Sequence, residues 1–155
     1  MKVIPEAEAV ALDDKLCLAL YSASRAMTAR YREPLAPLGL TYPQYLVMAL
    51  LWEDGPGTVG HLGERLRLES STLSPLIKRL ETMGLLTRTR DPQDERSVVV
   101  ALTRAGRALE RTAVGVASAL CEATGLSVAE QTELVGQLRA LTAALSASDA
   151  GKVTR

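Results

Sequence analysis

The sequence is poor in histidine and cysteine, the usual zinc ligands, and in the aromatic residues that fill many protein cores. Of its 155 residues none is Phe, one is Trp, one is His and two are Cys. The core must therefore be mainly aliphatic. A lone histidine with two cysteines gives too few ligands for a zinc site, so the sequence predicts neither a metal nor a cofactor.

Long hydrophobic runs are also absent. The longest, Tyr45–Trp52, is far shorter than the ~20 apolar residues that cross a bilayer. Near the start of the chain, Lys2 is soon followed by Pro5 and Glu6, which does not fit a signal peptide. We therefore expect a cytoplasmic protein that does not contact membranes, with residues 1–155 forming a single domain.

The two cysteines, Cys17 and Cys121, lie far apart in the sequence and form no CxxC pair. In a reducing compartment a structural disulfide between them is not expected. They are either inert core thiols or the site of redox chemistry, and composition alone leaves both interpretations open.

The net charge of zero hides an uneven distribution. Residues 65–107 carry 9 Lys/Arg and 5 Asp/Glu, whereas residues 1–64 carry 5 and 8, and residues 108–155 carry 4 and 5. A basic segment within an otherwise acidic chain is typical of contact with phosphates. A solvated surface with unevenly spread charge would give the same counts.

The basic segment contains a pattern typical of a DNA-reading unit. Residues 70–102 predict a short helix, a stop at Gly84, and two strands over 85–90 and 97–102 joined by a charged loop. A helix that fits a major groove, followed by a hairpin that reaches an adjacent groove, is a winged helix-turn-helix. Residues 42–102 are therefore predicted to form the DNA-binding region.

The predicted recognition helix is capped by Ser70 or Ser71. Its buried stripe consists of apolar residues at helical spacing: Leu73, Leu76, Ile77, Leu80 and Met83. Its outward face carries hydroxyl and basic side chains that suit base edges and phosphates: Ser71, Thr72, Ser74, Lys78 and Arg79. Pro75 forfeits a backbone hydrogen bond in the second turn, and it either loosens the start of the helix or shapes it against the groove.

The loop between the two strands, residues 91–96, is too long and too charged for a minimal hairpin turn. An arginine held on such a loop by a nearby carboxylate suits a minor groove, where the negative potential is focused. A plain surface loop would have the same composition, so this interpretation depends on the helix that precedes it.

Helices are predicted on both sides of this region. The first runs from about Asp13 to Arg32 and is stopped by Pro34 and Pro37. The central core helix follows, with Pro43 in its first turn, and then a short amphipathic helix over about 59–66.

Two long helices are predicted near the end of the chain. The first runs from Thr103 to about Thr124, and the second begins with a capping box of Ser127 and Glu130 and runs to about Ser146. The chain gives these terminal helices nothing obvious to enclose. We therefore expect residues 12–38 and 103–148 to form the interface of a homodimer.

A seam of polar side chains follows the first predicted helix. At 100° per residue, Cys17, Tyr21, Ser24, Thr28 and Tyr31 fall within about 40° of one line. Tyr21 is one turn from Cys17, whereas Tyr31 is about 21 Å further along the axis and cannot reach its own Cys17. If Tyr31 serves that thiol, it does so from a second chain running antiparallel. The alternative is that these tyrosines are ordinary half-buried residues.

The order of predicted elements, together with DPQDER at 91–96 and LTRAG at 102–106, resembles the MarR family of dimeric winged-helix transcription regulators. The resemblance covers about residues 12–146. Residues 16–53, and LGLTYPQYLVM within them, more narrowly resemble the OhrR-type repressors that sense organic hydroperoxides. The family resemblance implies a mainly α-helical fold with a small β-hairpin wing.

The resemblance also implies roles for the thiol and tyrosine residues. Cys17 matches the peroxidatic cysteine, and Tyr31 and Tyr42 match tyrosines that reach it from the partner subunit. Tyr21 matches a third member of that network. Cys121 matches the resolving cysteine of the two-cysteine subgroup, which forms a disulfide between subunits.

On the wing, Asp94 and Arg96 match a pair in which the acid steadies the loop and the arginine enters the minor groove. Base contacts vary within the family, so the recognition-helix residues, Pro75 included, are assigned as a group. The resemblance thus implies a repressor that binds a pseudo-palindromic operator in double-stranded DNA and leaves it when an organic hydroperoxide oxidises Cys17.

Two other functions are compatible with the sequence. One is a MarR-type regulator that binds a small aromatic ligand and has inert cysteines. The other is a thiol peroxidase that uses Cys17 catalytically, although the wing and the clustered positive charge have no purpose in such an enzyme.

Overall fold

The structure, a computed structural model, describes the backbone of residues 11–150 and the side chains of residues 11–147. Residues 1–10, on which the expectation about a leader segment rests, lie outside the described part. The chain divides into two compact units, Met1–Val116 and Ala117–Arg155.

The first unit begins with helices that differ from the predicted single one. A 3₁₀ turn, Leu12–Asp14, precedes helix α1, Leu16–Arg30, and a short helix α2, Arg32–Leu35, follows it. Pro34 therefore does not stop the helical path, because it lies in the first turn of α2, where a missing N–H costs little. A second 3₁₀ turn, Ala36–Leu38, leads to the next helix.

Helix α3, Tyr42–Asp54, is the central helix of the core, as predicted. It opens on a capping box: Gln44 N–H donates to Thr41 Oγ1 at 3.5 Å, and Thr41 N–H donates to Gln44 Oε1 at 2.9 Å. Val47, Met48 and Leu51 are among its buried residues. Burial on several sides explains why its apolar residues show no single stripe.

A helix-turn-helix and a hairpin complete the first unit. Helix α4, Val59–Leu66, and helix α5, Ser70–Thr82, are joined through Arg67, which adopts a left-handed conformation. Strands β2, Leu86–Arg90, and β3, Val98–Leu102, pair antiparallel, with Arg88 opposite Val100. The predicted hairpin is confirmed.

A third strand, β1, was not predicted. It consists of Gly57–Thr58 and pairs with β3 on the side away from β2, so that the strand order is β1-β3-β2. Two residues are too few to show an alternating pattern, and only the long-range pairing with β3 defines this strand.

The second unit is described by itself. Helix α6, Arg104–Ala123, begins in the first unit and ends in the second, where helix α7, Val128–Ala150, follows a turn at Gly125. The predicted capping box is confirmed, since Ser127 N–H donates to Glu130 Oε2 at 2.8 Å. Several large apolar side chains of α7 are exposed: Leu134, Val135, Leu138 and Leu145.

Among residues 11–150, no single helix combines the length and apolar composition needed to cross a membrane. Only α6 and α7 taken together, across the bend between them, meet both criteria.

Candidate DNA interface and thiol site

The predicted recognition helix is α5, and its outward face is as expected. All six residues of this helix that are assigned to DNA contact are exposed: Ser71, Thr72, Ser74, Pro75, Lys78 and Arg79. The helix continues through Pro75 to Thr82, so the proline does not break it. Hydroxyl, basic and apolar groups thus lie together on one accessible surface, as base edges and phosphates require.

Two details of α5 differ from the prediction. The N-cap residue is Glu69, and no side chain caps the helix, so neither Ser70 nor Ser71 has the predicted role. Leu73, Ile77 and Leu80 are buried, whereas Met83 is 44% exposed. Met83 is the C-cap residue, just beyond the helix, so the helical spacing that predicted its burial no longer applies.

The loop between β2 and β3 is held by its own carboxylates. Asp94 accepts hydrogen bonds from the backbone N–H of Arg96 at 3.1 Å and from Ser97 Oγ at 2.9 Å. Asp91 accepts one from the backbone N–H of Gln93 at 2.9 Å. An acid therefore steadies the loop through its backbone. Within residues 11–147 the guanidinium of Arg96 forms no ion pair, which leaves its charge for another partner.

An ion pair that the sequence did not reveal ties the hairpin to the recognition helix. Arg88 on β2 donates to Glu81 on α5, with Nε–Oε2 and Nη2–Oε2 distances of 2.8 and 2.7 Å. This hydrogen bonding lowers the pKa of Glu81. No local sequence pattern predicts this ion pair. The two residues lie on different elements, and they come together because the chain turns at Gly84 between them.

The end of the recognition helix is joined to the start of α6. Thr103 Oγ1 donates to the Gly84 carbonyl at 2.6 Å and accepts from the Gly106 N–H at 3.0 Å. Thr103 N–H donates to the Leu85 carbonyl at 3.0 Å, and the Trp52 indole N–H donates to the Gly106 carbonyl at 3.0 Å. We call Gly84, Leu85, Thr103 and Gly106 the junction.

Cys17 is a free, exposed thiol in the first turn of α1. None of the residues of α1 is buried in the single chain. Tyr21, one turn on, is 60% exposed, and its ring lies 5.5 Å from the guanidinium carbon of Arg25. Tyr31 is the C-cap residue at the opposite end of α1, as the axial distance predicted.

Tyr31 and Tyr42 belong to an aromatic cluster. Their ring centroids are 4.3 Å apart, Tyr31 and Tyr45 are 5.7 Å apart, and Tyr45 meets Trp52 edge-on at 6.3 Å. Burial raises the pKa of Tyr42, and burial together with Tyr42 raises the pKa of Tyr45. These phenols therefore stay protonated and keep their hydrogen-bond donors at neutral pH. The sequence prediction omitted Tyr45, although it lies one turn from Tyr42 on α3.

Cys121 is the second free, exposed thiol, and it lies near the C-terminal end of α6. Its carbonyl accepts hydrogen bonds from Thr124 Oγ1 at 2.7 Å and from Gln131 Nε2 at 3.3 Å. The Thr124 backbone N–H also donates to this carbonyl at 3.2 Å, so the bonds close the last turn of α6.

A helix-turn-helix followed by a hairpin wing defines a winged-helix DNA-binding protein. The MarR family model matches residues 40–98. The Bacillus subtilis organic hydroperoxide resistance transcriptional regulator is 49% identical over 105 residues, which cover 68% of this chain and 71% of that protein. The chain therefore belongs to the MarR family, whose members are DNA-binding transcription regulators and not enzymes.

Solved structures agree with this assignment. Reduced AbfR of Staphylococcus epidermidis bound to DNA matches with a TM-score of 0.74 and 33% identity, covering 86% of this chain and 94% of that one. AbfR with its disulfide formed matches with a TM-score of 0.59 and 33% identity, covering 87% and 90%. Bordetella bronchiseptica BpsR, whose DNA binding is regulated by 6-hydroxynicotinic acid, matches with a TM-score of 0.79 and 27% identity. This match covers 87% of this chain and 98% of that one. The predicted mainly α-helical winged fold is confirmed.

Proposed function

We propose that this protein is a homodimeric repressor that senses organic hydroperoxides. Oxidation of Cys17, followed by a disulfide with Cys121 of the partner subunit, releases the operator DNA. The observation that carries the proposal is an exposed thiol on α1, a helix that buries none of its own residues. The relative named for organic hydroperoxide resistance supports the choice of inducer. We expect the protein to act in the cytoplasm, where its DNA is.

The uncovered helices support the dimer. An isolated helix as short as α1 is marginal in water, so its stability must come from packing. Leu16 and Met27 on α1 are 60% and 41% exposed, and Leu138 on α7 is 39% exposed. Large exposed apolar surfaces mark contact sites, and a second copy covers them by symmetry. An antiparallel partner would bring its Tyr31 to the Cys17 end of α1.

In the first chemical step, the thiolate of Cys17 attacks the terminal oxygen of the hydroperoxide. An S–O bond forms, the O–O bond breaks, and the alcohol leaves after it takes up a proton. The sulfur is oxidised by two electrons to a sulfenic acid. Tyr21, together with Tyr31 and Tyr42 of the partner subunit, donates hydrogen bonds to the sulfur and to the departing oxygen.

In the second step, Cys121 of the partner subunit attacks the sulfenic sulfur. An S–S bond forms, the S–O bond breaks, and water leaves. Because the two cysteines lie on different helices, the bond draws α1 of one subunit and α6 of the other together. This changes the spacing of the two winged helix-turn-helix regions of the dimer, and DNA is released.

In the reduced state each α5 enters a major groove, with the two half-sites one helical turn, about 34 Å, apart. The hydroxyl and basic residues of α5 contact bases and phosphates, and Arg96, on the loop steadied by Asp94, enters the minor groove. The operator is accordingly a pseudo-palindrome. The solved structure of reduced AbfR bound to DNA supports DNA binding by the reduced state.

Replacing the resolving thiol tests the second step. We expect Cys121→Ser, treated with cumene hydroperoxide, to give no covalent dimer on a gel run without reductant, whereas the wild type does. Cys17 should still become a sulfenic acid, detectable by dimedone labelling. A covalent dimer that persists in Cys121→Ser would exclude the resolving role.

A second candidate function is regulation by a small aromatic ligand with inert cysteines. The cluster of Tyr31, Tyr42 and Tyr45, and the likeness to BpsR, favour it. The two candidates differ in their dependence on Cys17. If a small ligand regulates the protein, adding a hydroxylated aromatic acid should release DNA from Cys17→Ser as completely as from the wild type.

A further inference from the structure

We propose that the junction transmits movement of α6 to the recognition helix, and that Thr103 and Gly106 are its positioning residues. The inference rests on the proposed function, in which a disulfide at Cys121 displaces α6. It concerns a different step, namely how that displacement reaches α5.

Thr103 connects the two elements by four hydrogen bonds, one of which its carbonyl accepts from the Arg107 N–H at 3.0 Å. Its hydroxyl donates to the Gly84 carbonyl and accepts from the Gly106 N–H, and its own N–H donates to the Leu85 carbonyl. Gly84 directly follows Met83, the C-cap residue of α5. The end of the recognition helix and the first turn of α6 are therefore bonded to the same residue.

Gly106 allows α6 to lie directly against the backbone at Leu85. A Cβ atom on Gly106 would clash with the Leu85 carbonyl oxygen and would lie 3.2 Å from Leu102 Cδ2. Only glycine permits this approach without movement of the backbone. Side-chain rearrangement at this contact cannot absorb a shift of α6, because the closest atoms belong to the main chain.

Trp52 fixes the junction to the core. Its indole N–H donates to the Gly106 carbonyl at 3.0 Å, and its ring contacts Tyr45 of the aromatic cluster. The junction thus links α3, α6 and the end of α5. Trp52 is also the only tryptophan in the sequence, so its fluorescence reports on this position alone.

Cys121 lies near the other end of α6. A packed, hydrogen-bonded contact passes a displacement on rather than deforming continuously. A displacement that reaches the first turn of α6 is therefore passed through the junction to the end of the recognition helix.

The test compares Thr103→Val, which loses both hydroxyl bonds, with Thr103→Ser, which keeps them. Thr132→Val is the matched control, because the Thr132 hydroxyl bonds to the Val128 carbonyl of its own helix, α7, and not to a residue of the junction. For each protein, DNA affinity is measured before and after cumene hydroperoxide, together with the fraction of covalent dimer. The duplex is one selected from random sequence by the reduced wild type.

We expect Thr103→Val to form the covalent dimer as completely as the wild type, but to lose less than about tenfold in DNA affinity on oxidation. The wild type, Thr103→Ser and Thr132→Val should lose about 30- to 150-fold. Trp52→Phe removes the indole N–H bond and should reduce the loss in the same direction, which keeps the test decisive if Thr103→Val fails to fold.

A Thr103→Val protein that forms the disulfide and keeps the full wild-type loss would overturn the inference. The inference would also be overturned if Thr103→Val weakened DNA binding by the same factor before and after oxidation, since a purely structural role predicts that result. A wild type that forms no covalent dimer would overturn the proposed function, and the gel distinguishes that failure from failure of the junction.

Discussion

Cys17→Ser should bind DNA like the reduced wild type and should no longer respond to organic hydroperoxide. The serine hydroxyl is not a nucleophile towards the peroxide oxygen, so neither the sulfenic acid nor the disulfide forms. The wild type should lose about 30- to 150-fold in affinity on treatment, which corresponds to about 2–3 kcal/mol of coupling free energy. Fluorescence anisotropy with a labelled duplex measures both states.

The change is nearly isosteric, so the dimer and the reading units should remain intact. Equal affinities of untreated Cys17→Ser and reduced wild type provide the control for folding. If treated Cys17→Ser released DNA to the same extent as the treated wild type, Cys17 would not be the sensor.

Arg96→Ala should weaken DNA binding and also its dependence on salt. Each phosphate-equivalent neutralised by a protein contributes a slope of about −0.9 in a plot of log affinity against log salt. We expect the slope to fall in magnitude by about one unit for each engaged wing.

The structure makes this substitution a clean test of charge. Asp94 bonds to the backbone N–H of Arg96 and to Ser97, so the loop keeps its hydrogen bonds when the guanidinium is removed. Arg139→Ala on α7 removes an equal charge outside the proposed DNA interface and should leave the slope unchanged. An unaltered slope and affinity in Arg96→Ala would mean that the loop does not touch DNA.

Local patterns predicted much of the fold. The Ser127–Glu130 capping box, the hairpin and the extent of α4 depend on residues a few positions apart, and the structure has each of them. Helix α1 ends at Arg30, close to the predicted end at Arg32, but the prediction misses helix α2, because a proline such as Pro34 fits the first turn of a following helix.

Contacts between distant residues were not predictable in the same way. The pairing of β1 with β3, the bond from Trp52 to Gly106, and the contacts of Thr103 with Gly84 join positions that no periodicity relates. The wing acid was assigned to steady the loop, but only the structure shows that it acts through the backbone.

For the sensing site, the positions of the residues along α1 agree with the sequence prediction, whereas their roles stay predictions. Tyr31 at one end of α1 and Cys17 at the other agree with the distance argument made from the sequence. The roles of Cys17 and Cys121, of the tyrosines and of the DNA-facing residues remain predictions, because they concern a second subunit, an oxidant and a duplex.

Identification of the cross-linked cysteines tests the central claim most directly. The wild type is treated with one equivalent of cumene hydroperoxide, the covalent dimer is isolated without reductant, and its proteolytic peptides are analysed by mass spectrometry alongside DNA binding. We predict a peptide pair joined through Cys17 and Cys121, together with loss of DNA binding that dithiothreitol reverses. Loss of DNA binding without that pair, or the pair without loss of binding, would contradict the account.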